Sequence, residues 1–188
     1  MLEYEKKILL TAKEYETIVS KFCKQLQSKQ QINYYFDTDD LDMNKKGITC
    51  RIRLKDGVYT TTVKRHDFKD QDCSFEEVIS EKTEFDAEYF KKLNLKLQGK
   101  LITERTILYK DSFCEAVIDR NTYLEQTDFE LEIEYSKKHK EKAFMFLTDV
   151  ARTLEANKIL SNVEEFLNRV GQNKSKSQRF FERKYKNK

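Results

Sequence analysis

The chain has 188 residues, of which 37% are charged and 38% hydrophobic, and its formal net charge at pH 7 is only +3. That length suits one domain, and 13 Phe and 10 Tyr residues are too many large apolar groups for a disordered polyampholyte. The small net charge argues against the extended basic surface that non-specific nucleic-acid binding needs. We therefore predict a folded protein that binds anions only through local groups of basic residues.

The four cysteines are far apart, form no Cys-x-x-Cys pair, and are accompanied by only two histidines. This pattern predicts scattered, reduced thiols rather than a zinc site. No leader-like segment precedes the first strand-like residues, and no apolar run approaches the ~18 residues of a membrane span. We expect a cytoplasmic protein without a membrane partner.

Periodicity predicts the order of the elements. A strand over residues 2–10 is followed by a helix over 12–28, which opens with the capping-box pair Thr11 and Glu14. Alternating segments then predict strands over residues 31–38, 48–55, 58–65 and 73–80. A helix is predicted over 84–93, and strands follow over 101–109, 112–120 and 128–136. The eight strands are typical of an antiparallel meander.

Helices are also expected near the end of the sequence. One covers residues 138–155, and another begins at Ser161, where Glu164 completes a capping pattern, and ends at Gly171. The segment 173–188 is strongly basic. Neither a linker nor an internal repeat is evident, so residues 1–188 are expected to form a single domain.

Alternate residues of a strand point to the same side of a sheet, and this alternation gathers charged residues on single faces. The groups are Glu3, Glu5 and Lys7; Arg51 and Arg53; Thr62 and Lys64; and Glu130, Glu132 and Glu134, with Arg105 and Asp119 inside further strands. On any one strand, a solvated face is the ordinary explanation. Glutamates in step repel one another, however, so positive groups should compensate them.

Predicted helices need apolar sheet surface to pack on, which leaves the charged faces turned together if the sheet closes. The predicted fold class is α+β, with an eight-stranded antiparallel closed β-barrel, a charged lumen and amphipathic helices packed outside. Carboxylate clusters suit magnesium or manganese, and guanidinium groups suit phosphate oxygens. With only four glycines, neither a Walker loop nor a Gly-rich dinucleotide turn can be written, so side chains must hold phosphate.

In their order and spacing, these motifs resemble those of the CYTH superfamily, the triphosphate tunnel metalloenzymes that include class IV adenylate cyclases and thiamine triphosphatases. Bacterial members of the Firmicute type are the most similar. Each motif is weak alone, and their joint order makes the signal strong. The motifs are Glu3-x-Glu5-x-Lys7, Tyr34 to Thr38, Arg51-Ile52-Arg53, Thr62-Val63-Lys64, Thr103-Glu104-Arg105, Ile118-Asp119-Arg120, Glu130 to Glu134, and Lys174 to Phe181.

The resemblance implies a tunnel in which glutamates bind Mg²⁺ or Mn²⁺ and basic residues hold a triphosphate. The implied metal ligands are Glu3, Glu5, Glu130, Glu132 and Glu134. The implied triphosphate-binding residues are Lys7, Arg51, Arg53, Lys64, Arg105, Lys174, Lys176 and Arg179, with catalytic roles for Glu5, Lys7, Arg53 and Lys64. Further candidates are Asp119 and, as the inward carboxylate of the fifth strand, Glu76 or Glu77.

Two features depart from the family pattern. Strand parity puts Lys174 and Lys176 on one face and Arg179 on the other, so a bulge or a terminal helical turn must intervene. Tryptophan, which some members use to recognise thiamine, is absent. The lack of tryptophan disfavours thiamine triphosphate as the substrate.

The expected function is metal-dependent hydrolysis of the terminal phosphoanhydride of inorganic triphosphate or a nucleoside or organic triphosphate. One alternative is an adenylate cyclase that makes cyclic AMP from ATP in the same tunnel. Another is a polyphosphate-binding module without catalysis, and the least favoured is a solvated charged sheet with a basic tail for an acidic partner or nucleic acid. The sequence leaves homodimerisation open.

Overall fold

The computed structural model describes residues 2–23, 28–66, 70 and 72–186. Within these ranges, eight strands close into one antiparallel barrel in the order β1-β5-β4-β3-β2-β6-β7-β8. The predicted α+β barrel is thereby confirmed. The strands are β1 Leu2–Leu10, β2 Ser28–Asp37, β3 Ile48–Lys55, β4 Val58–His66, β5 Cys73–Lys82, β6 Lys96–Lys110, β7 Cys114–Tyr123 and β8 Gln126–Tyr135.

Six α-helices accompany the barrel within the described ranges. They are α1 Ala12–Phe22, α2 Asp42–Lys45, α3 Glu88–Lys92, α4 Lys140–Ala156, α5 Val163–Leu167 and α6 Lys176–Lys186. The helix predicted over 12–28 is shorter than expected, because β2 has begun at Ser28, and residues 24–27 of that prediction lie outside the described ranges. The helix predicted over 84–93 shrinks to α3, since the ring of Phe85 packs from a non-helical segment on Tyr34 and Tyr59.

The predicted capping box is confirmed at the start of α1. The Thr11 hydroxyl accepts the Glu14 backbone N–H, and the Glu14 carboxylate accepts the Thr11 N–H. The cap predicted at Ser161 is wrong by one residue, because the Asn162 side chain accepts the Glu165 N–H and begins α5. That helix ends at Leu167, four residues before Gly171.

The main core lies between one outer wall of the barrel and the amphipathic helices. Ile8, Ile118 and Leu131 of the strands are fully buried against the apolar stripe of α4, which includes Leu147 and Val150. Burying each such side chain contributes about 1.5–3 kcal/mol, so this wall anchors the sheet. The apolar side chains therefore face outward, and the charged residues of the same strands face the lumen.

The last helix, α6, closes one end of the barrel. Phe180 and Phe181 are buried against Tyr35, Leu101 and Tyr123. Most of the basic segment 173–188 therefore forms helix α6, whose apolar face packs into this end of the barrel. Among the described helices, none is both long and apolar enough to cross a membrane.

A close approach of α6 to β6 depends on Gly99. This glycine has a φ of +145°, and a Cβ atom there would lie 2.8 Å from the Phe180 Cζ atom. We predict that Gly99→Ala lowers the free energy of unfolding by about 1–3 kcal/mol more than Gly57→Ala does. Gly57 also has a positive φ, but nothing lies within 4 Å of its would-be Cβ. Chemical denaturation measures both, and equal losses would contradict this packing of α6.

Candidate functional site

The charged strand faces line a cavity within the barrel. Six cationic side chains line it, Lys7, Arg51, Arg53, Lys64, Arg105 and Lys176, together with five carboxylates, Glu3, Glu5, Glu76, Glu132 and Glu134. Cations and carboxylates are therefore nearly balanced. The sequence-predicted residues that the structure brings together here come from β1, β3, β4, β5, β6, β8 and α6.

The Glu-x-Glu-x-Lys motif of β1 forms an ion network with β4. Lys64 Nζ donates to Glu3 Oε2 at 2.9 Å and lies 3.6 Å from Glu5 Oε1, while Lys7 Nζ donates to the same Glu5 oxygen at 2.7 Å. Desolvation alone would raise the pKa of Glu5, but the ammonium groups of Lys7 and Lys64 lower it to about 2. Glu5 is therefore a carboxylate held firmly ionised.

The three arginines of the cavity have different partners. Arg51 donates to both carboxylate oxygens of Glu76, at 3.0 and 2.8 Å. Arg105 donates to both oxygens of Asp119, at 2.9 and 2.7 Å, and also contacts Glu132. Within the described ranges, Arg53 donates one hydrogen bond, from Nε to the amide oxygen of Asn33 at 2.9 Å.

Arg53 thus remains without a carboxylate partner among the described residues. Its burial and the nearby guanidinium groups of Arg51 and Arg105 lower its pKa to about 10. A positive charge in this position is under-compensated, and an anion is the species that would compensate it.

The end of the cavity is formed by the first turn of α6. Lys176 Nζ lies 3.0 Å from Asp119, 2.8 Å from Glu130 and 2.5 Å from Glu132. Despite its desolvation, these carboxylates raise the pKa of Lys176. The lysine is thereby fixed as a cation.

Helical spacing resolves the parity conflict in this segment. Arg179 lies three residues after Lys176 on α6, so both reach the barrel, and Arg179 pairs with Asp128 and Glu130. Glu130 and Asp119 are fully buried beneath these cations. Neither residue lines the cavity. Glu130, which was predicted to bind metal, instead holds α6 in place through its ion pairs with Lys176 and Arg179.

Two predicted site residues are corrected. Glu77 lies exposed outside the barrel, because β5 pairs with β4 in a register that turns Glu76 inward beside Lys64. Lys174 is also exposed, and it pairs with Glu182 of α6 rather than with a lumen residue, because it precedes the helix. The inward carboxylate of the fifth strand is thus Glu76.

His66 and Asn33 were not predicted as site residues from the sequence. His66 lies two residues after Lys64 on the same face of β4, a parity signal that was present in the sequence. Burial, with the ammonium groups of Lys7 and Lys64, lowers its pKa to about 4, so His66 is neutral at pH 7. Asn33 is the second, and only the β2–β3 register reveals that it lies opposite Arg53.

The donors that suit a divalent ion lie where β1 and β8 meet. Glu5 and Glu134 are direct cross-strand neighbours. Glu134 keeps part of its surface in solvent and has no cationic partner among the described residues. Partial desolvation of its carboxylate, together with the carboxylates of Glu132, Glu3 and Glu5, raises its pKa. Such excess negative charge on oxygen donors fits Mg²⁺ or Mn²⁺.

No ready-made cluster of three His, Cys, Asp or Glu ligands exists within the described ranges. Glu3, Glu5 and Glu132 are instead paired with lysines or arginine. A metal here would need those cations to turn to another anion.

A closed antiparallel barrel with a lumen of paired carboxylates and basic residues defines the class of triphosphate tunnel proteins. Residues 1–165 match the family described as CYTH domain, and the chain belongs to that family. Family membership implies divalent-metal use and supports a function of the triphosphatase type.

Individual relatives agree with this assignment. A segment of 66 residues, 34% of this chain and 34% of the relative, is 41% identical to a Bacillus subtilis (strain 168) protein named "Putative triphosphatase YjbK", so the match spans about a third of that relative. A Bacillus halodurans structure named as a putative adenylate cyclase is 24% identical, with a TM-score of 0.66 over 95% of this chain and 97% of that one.

A Hippeastrum protein also shares the fold. It is 16% identical, with a TM-score of 0.57 over 79% of this chain and 87% of that one, and its structure is described as a putative adenylyl cyclase with dominant triphosphatase activity. At these identities the structural neighbours show a common fold.

The neutral His66 predicts a specific pH dependence of stability. Its folded-state pKa of about 4 lies below the value of 6.5 for an unperturbed histidine. The unfolded chain therefore binds a proton that the folded protein excludes, so stability is complete above pH 6.5 and falls as the pH decreases toward 4.

We predict that, between pH 7 and 5, the wild type loses about 1–2 kcal/mol more stability than His66→Gln. Urea unfolding at both pH values measures the difference. His139→Gln serves as the control, because that histidine lies outside the tunnel near Ser136. Parallel curves for the wild type and His66→Gln would contradict a neutral His66 between two lysines.

Proposed function

We propose that the protein is a divalent-metal-dependent triphosphatase that hydrolyses the terminal phosphoanhydride of a triphosphate, with inorganic triphosphate as the favoured substrate. The observation that carries this proposal is Arg53, a cation inside the tunnel with an amide as its hydrogen-bond partner. Its terminal nitrogens suit phosphate oxygens, and Arg51, Arg105 and Lys176 lie around the same cavity.

The near balance of charge explains why metal and substrate would bind together. A triphosphate carries about four negative charges and would attract the ammonium groups of Lys7 and Lys64. Each lysine that turns toward phosphate releases Glu5 or Glu3, and these carboxylates become oxygen donors beside Glu134. An anion alone would leave the lumen with excess negative charge, so a divalent ion would strengthen its binding.

Glu3, Glu5, Glu132 and Glu134 would hold that ion. When bound, Mg²⁺ or Mn²⁺ supplies positive charge to the phosphoryl oxygens and acidifies a water molecule. Glu130 is a weaker candidate as a metal ligand, because it lies outside the cavity lining and forms ion pairs with Lys176 and Arg179.

The chain's own residues supply positioning and electrostatic stabilisation. Arg51, Arg53, Lys64, Arg105 and Lys176 would neutralise the charge that spreads over the oxygens of the transferred phosphoryl group. Glu5 pairs with Lys7 before substrate binds, whereas Glu134 has no cationic partner among the described residues. We therefore assign to Glu134 the role of orienting the attacking water.

The lining favours a substrate without a base or sugar. Among the described residues, its aromatic side chains are Tyr35, which is buried, and the imidazole of His66, and no aliphatic side chain contributes to it. A nucleobase would need an apolar or aromatic surface to stack on. Adenylate cyclase activity remains the second candidate, because a neighbour that shares the fold is named as a cyclase.

We predict that Glu5→Gln and Arg53→Ala each reduce phosphate release from inorganic triphosphate at least 100-fold with Mg²⁺ or Mn²⁺, because each removes a charge that acts on the transition state. Colorimetric phosphate release measures the activity, and thermal unfolding verifies that the variants are folded. Matched controls are Glu77→Gln and Arg65→Ala, which remove the same groups from the exposed outer faces of β5 and β4 and should retain activity. Full activity of both tunnel variants would refute the proposal.

The two candidate activities differ in their products. With ATP, a triphosphatase releases orthophosphate and ADP, whereas a cyclase releases pyrophosphate and cyclic AMP. We predict that any turnover of ATP yields orthophosphate, detected by ³¹P NMR. Cyclic AMP as the main product would favour the cyclase instead.

A further inference from the structure

The partner of Arg53 differs in kind from the partners of the other cavity arginines. Glu76 neutralises Arg51, and Asp119 with Glu132 neutralises Arg105. Arg53 is held by an amide, which can fix the direction of a guanidinium without cancelling its charge. Because the partner of Arg53 is the neutral amide of Asn33, the cavity keeps one cation whose charge is not compensated.

Asn33 occupies a buried position on β2 that faces Arg53. Its residue is 1% exposed, it lies on the lumen-facing side of β2, and the strand register places it directly opposite Arg53. Its Oδ1 atom accepts the Arg53 Nε–H at 2.9 Å, so both terminal nitrogens of the guanidinium remain available. The fork of two terminal N–H groups is the part of arginine that recognises phosphate oxygens.

The surroundings of this contact are short of acceptors. The Nδ2 atom of Asn33 and the Nε2 atom of Gln31, two residues earlier on the same face, are buried with no hydrogen-bond partner among the described residues. A buried donor without an acceptor costs about 1–3 kcal/mol. Two such donors beside an unpaired cation form an environment that accepts negative charge.

We propose that Asn33 is a positioning residue that sets the affinity of the tunnel for phosphate, because it orients Arg53 and leaves its charge uncompensated. This inference rests on the proposed function. Asn33 acts through Arg53. An aspartate in its place would keep the acceptor oxygen and the size of the side chain, but it would turn Arg53 into a third neutralised arginine.

The substitution Asn33→Asp tests the inference, because it should move two quantities in opposite directions. Without ligand, the melting temperature should stay unchanged or rise, since a buried arginine gains a counter-ion. The dissociation constant for inorganic triphosphate should increase at least tenfold, measured by calorimetry in EDTA so that hydrolysis does not contribute. KM in the presence of metal should rise in parallel.

A matched control separates this effect from added charge. Gln30→Glu places a carboxylate on the neighbouring residue of β2, which is exposed outside the barrel, and should leave the dissociation constant within twofold of the wild type. A second variant, Asn33→Ala, removes the acceptor but keeps the Arg53 charge. Its dissociation constant should rise less than that of Asn33→Asp, about threefold to tenfold, which preserves the test if the aspartate variant does not fold.

The outcomes distinguish the inference from the function on which it rests. Wild-type binding of triphosphate together with wild-type affinity in Asn33→Asp would overturn the role of Asn33 and leave the proposed function standing. A lower melting temperature with unchanged affinity in Asn33→Ala would assign Asn33 a structural role and also overturn the inference. If the wild type neither binds nor hydrolyses triphosphate, both proposals fail.

Discussion

The cost of removing charges from water constrains every part of this protein. The barrel turns its apolar residues outward to meet α1, α4 and α5, so the charged faces of its strands must share a closed lumen. An isolated ion buried there would cost several kcal/mol, and the lumen meets that constraint by pairing almost every carboxylate with a lysine or arginine. Two lumen residues lack an oppositely charged partner within the described ranges, the cation Arg53 and the carboxylate Glu134.

Helix α6 completes this pairing at the closed end of the barrel. Lys176 and Arg179 neutralise Glu130, Glu132 and neighbouring aspartates, and the aromatic face of the same helix fills the space between the strands. The basic segment near the end of the sequence is therefore a structural part of the tunnel. Without the cations of α6, Glu130 would be buried without a counter-ion among the described residues, and Glu132 would keep only Arg105.

Much of the site could be predicted because strand parity is a local property. Alternation alone put Glu3, Glu5 and Lys7 on one face and Arg51 beside Arg53, and the structure has them in one cavity. The errors concern residues whose orientation is set by the register between two strands or by a helical segment. Glu76 and Glu77 are adjacent in sequence, and the β4–β5 register selects the first.

The same reasoning explains what sequence could not reveal about Asn33 and α6. Asn33 contacts Arg53 because the β2–β3 register places the two residues opposite each other, although they are twenty residues apart in sequence. Strand parity separated Lys176 from Arg179, whereas both lie on α6, whose period differs from two, and Lys174 precedes that helix. Periodicity predicted which charged residues share a strand face, but the contacts between those residues depend on the strand register and on the position of α6.

A crystal structure of the protein with inorganic triphosphate and Mn²⁺, collected at a wavelength that gives anomalous scattering from manganese, would test the central claim most directly. The account predicts an anomalous peak within coordination distance of Glu134 and at least one of Glu3, Glu5 and Glu132. It also predicts phosphate oxygens on the terminal nitrogens of Arg53. Triphosphate bound only outside the barrel, with the lumen ion pairs unchanged, would contradict it.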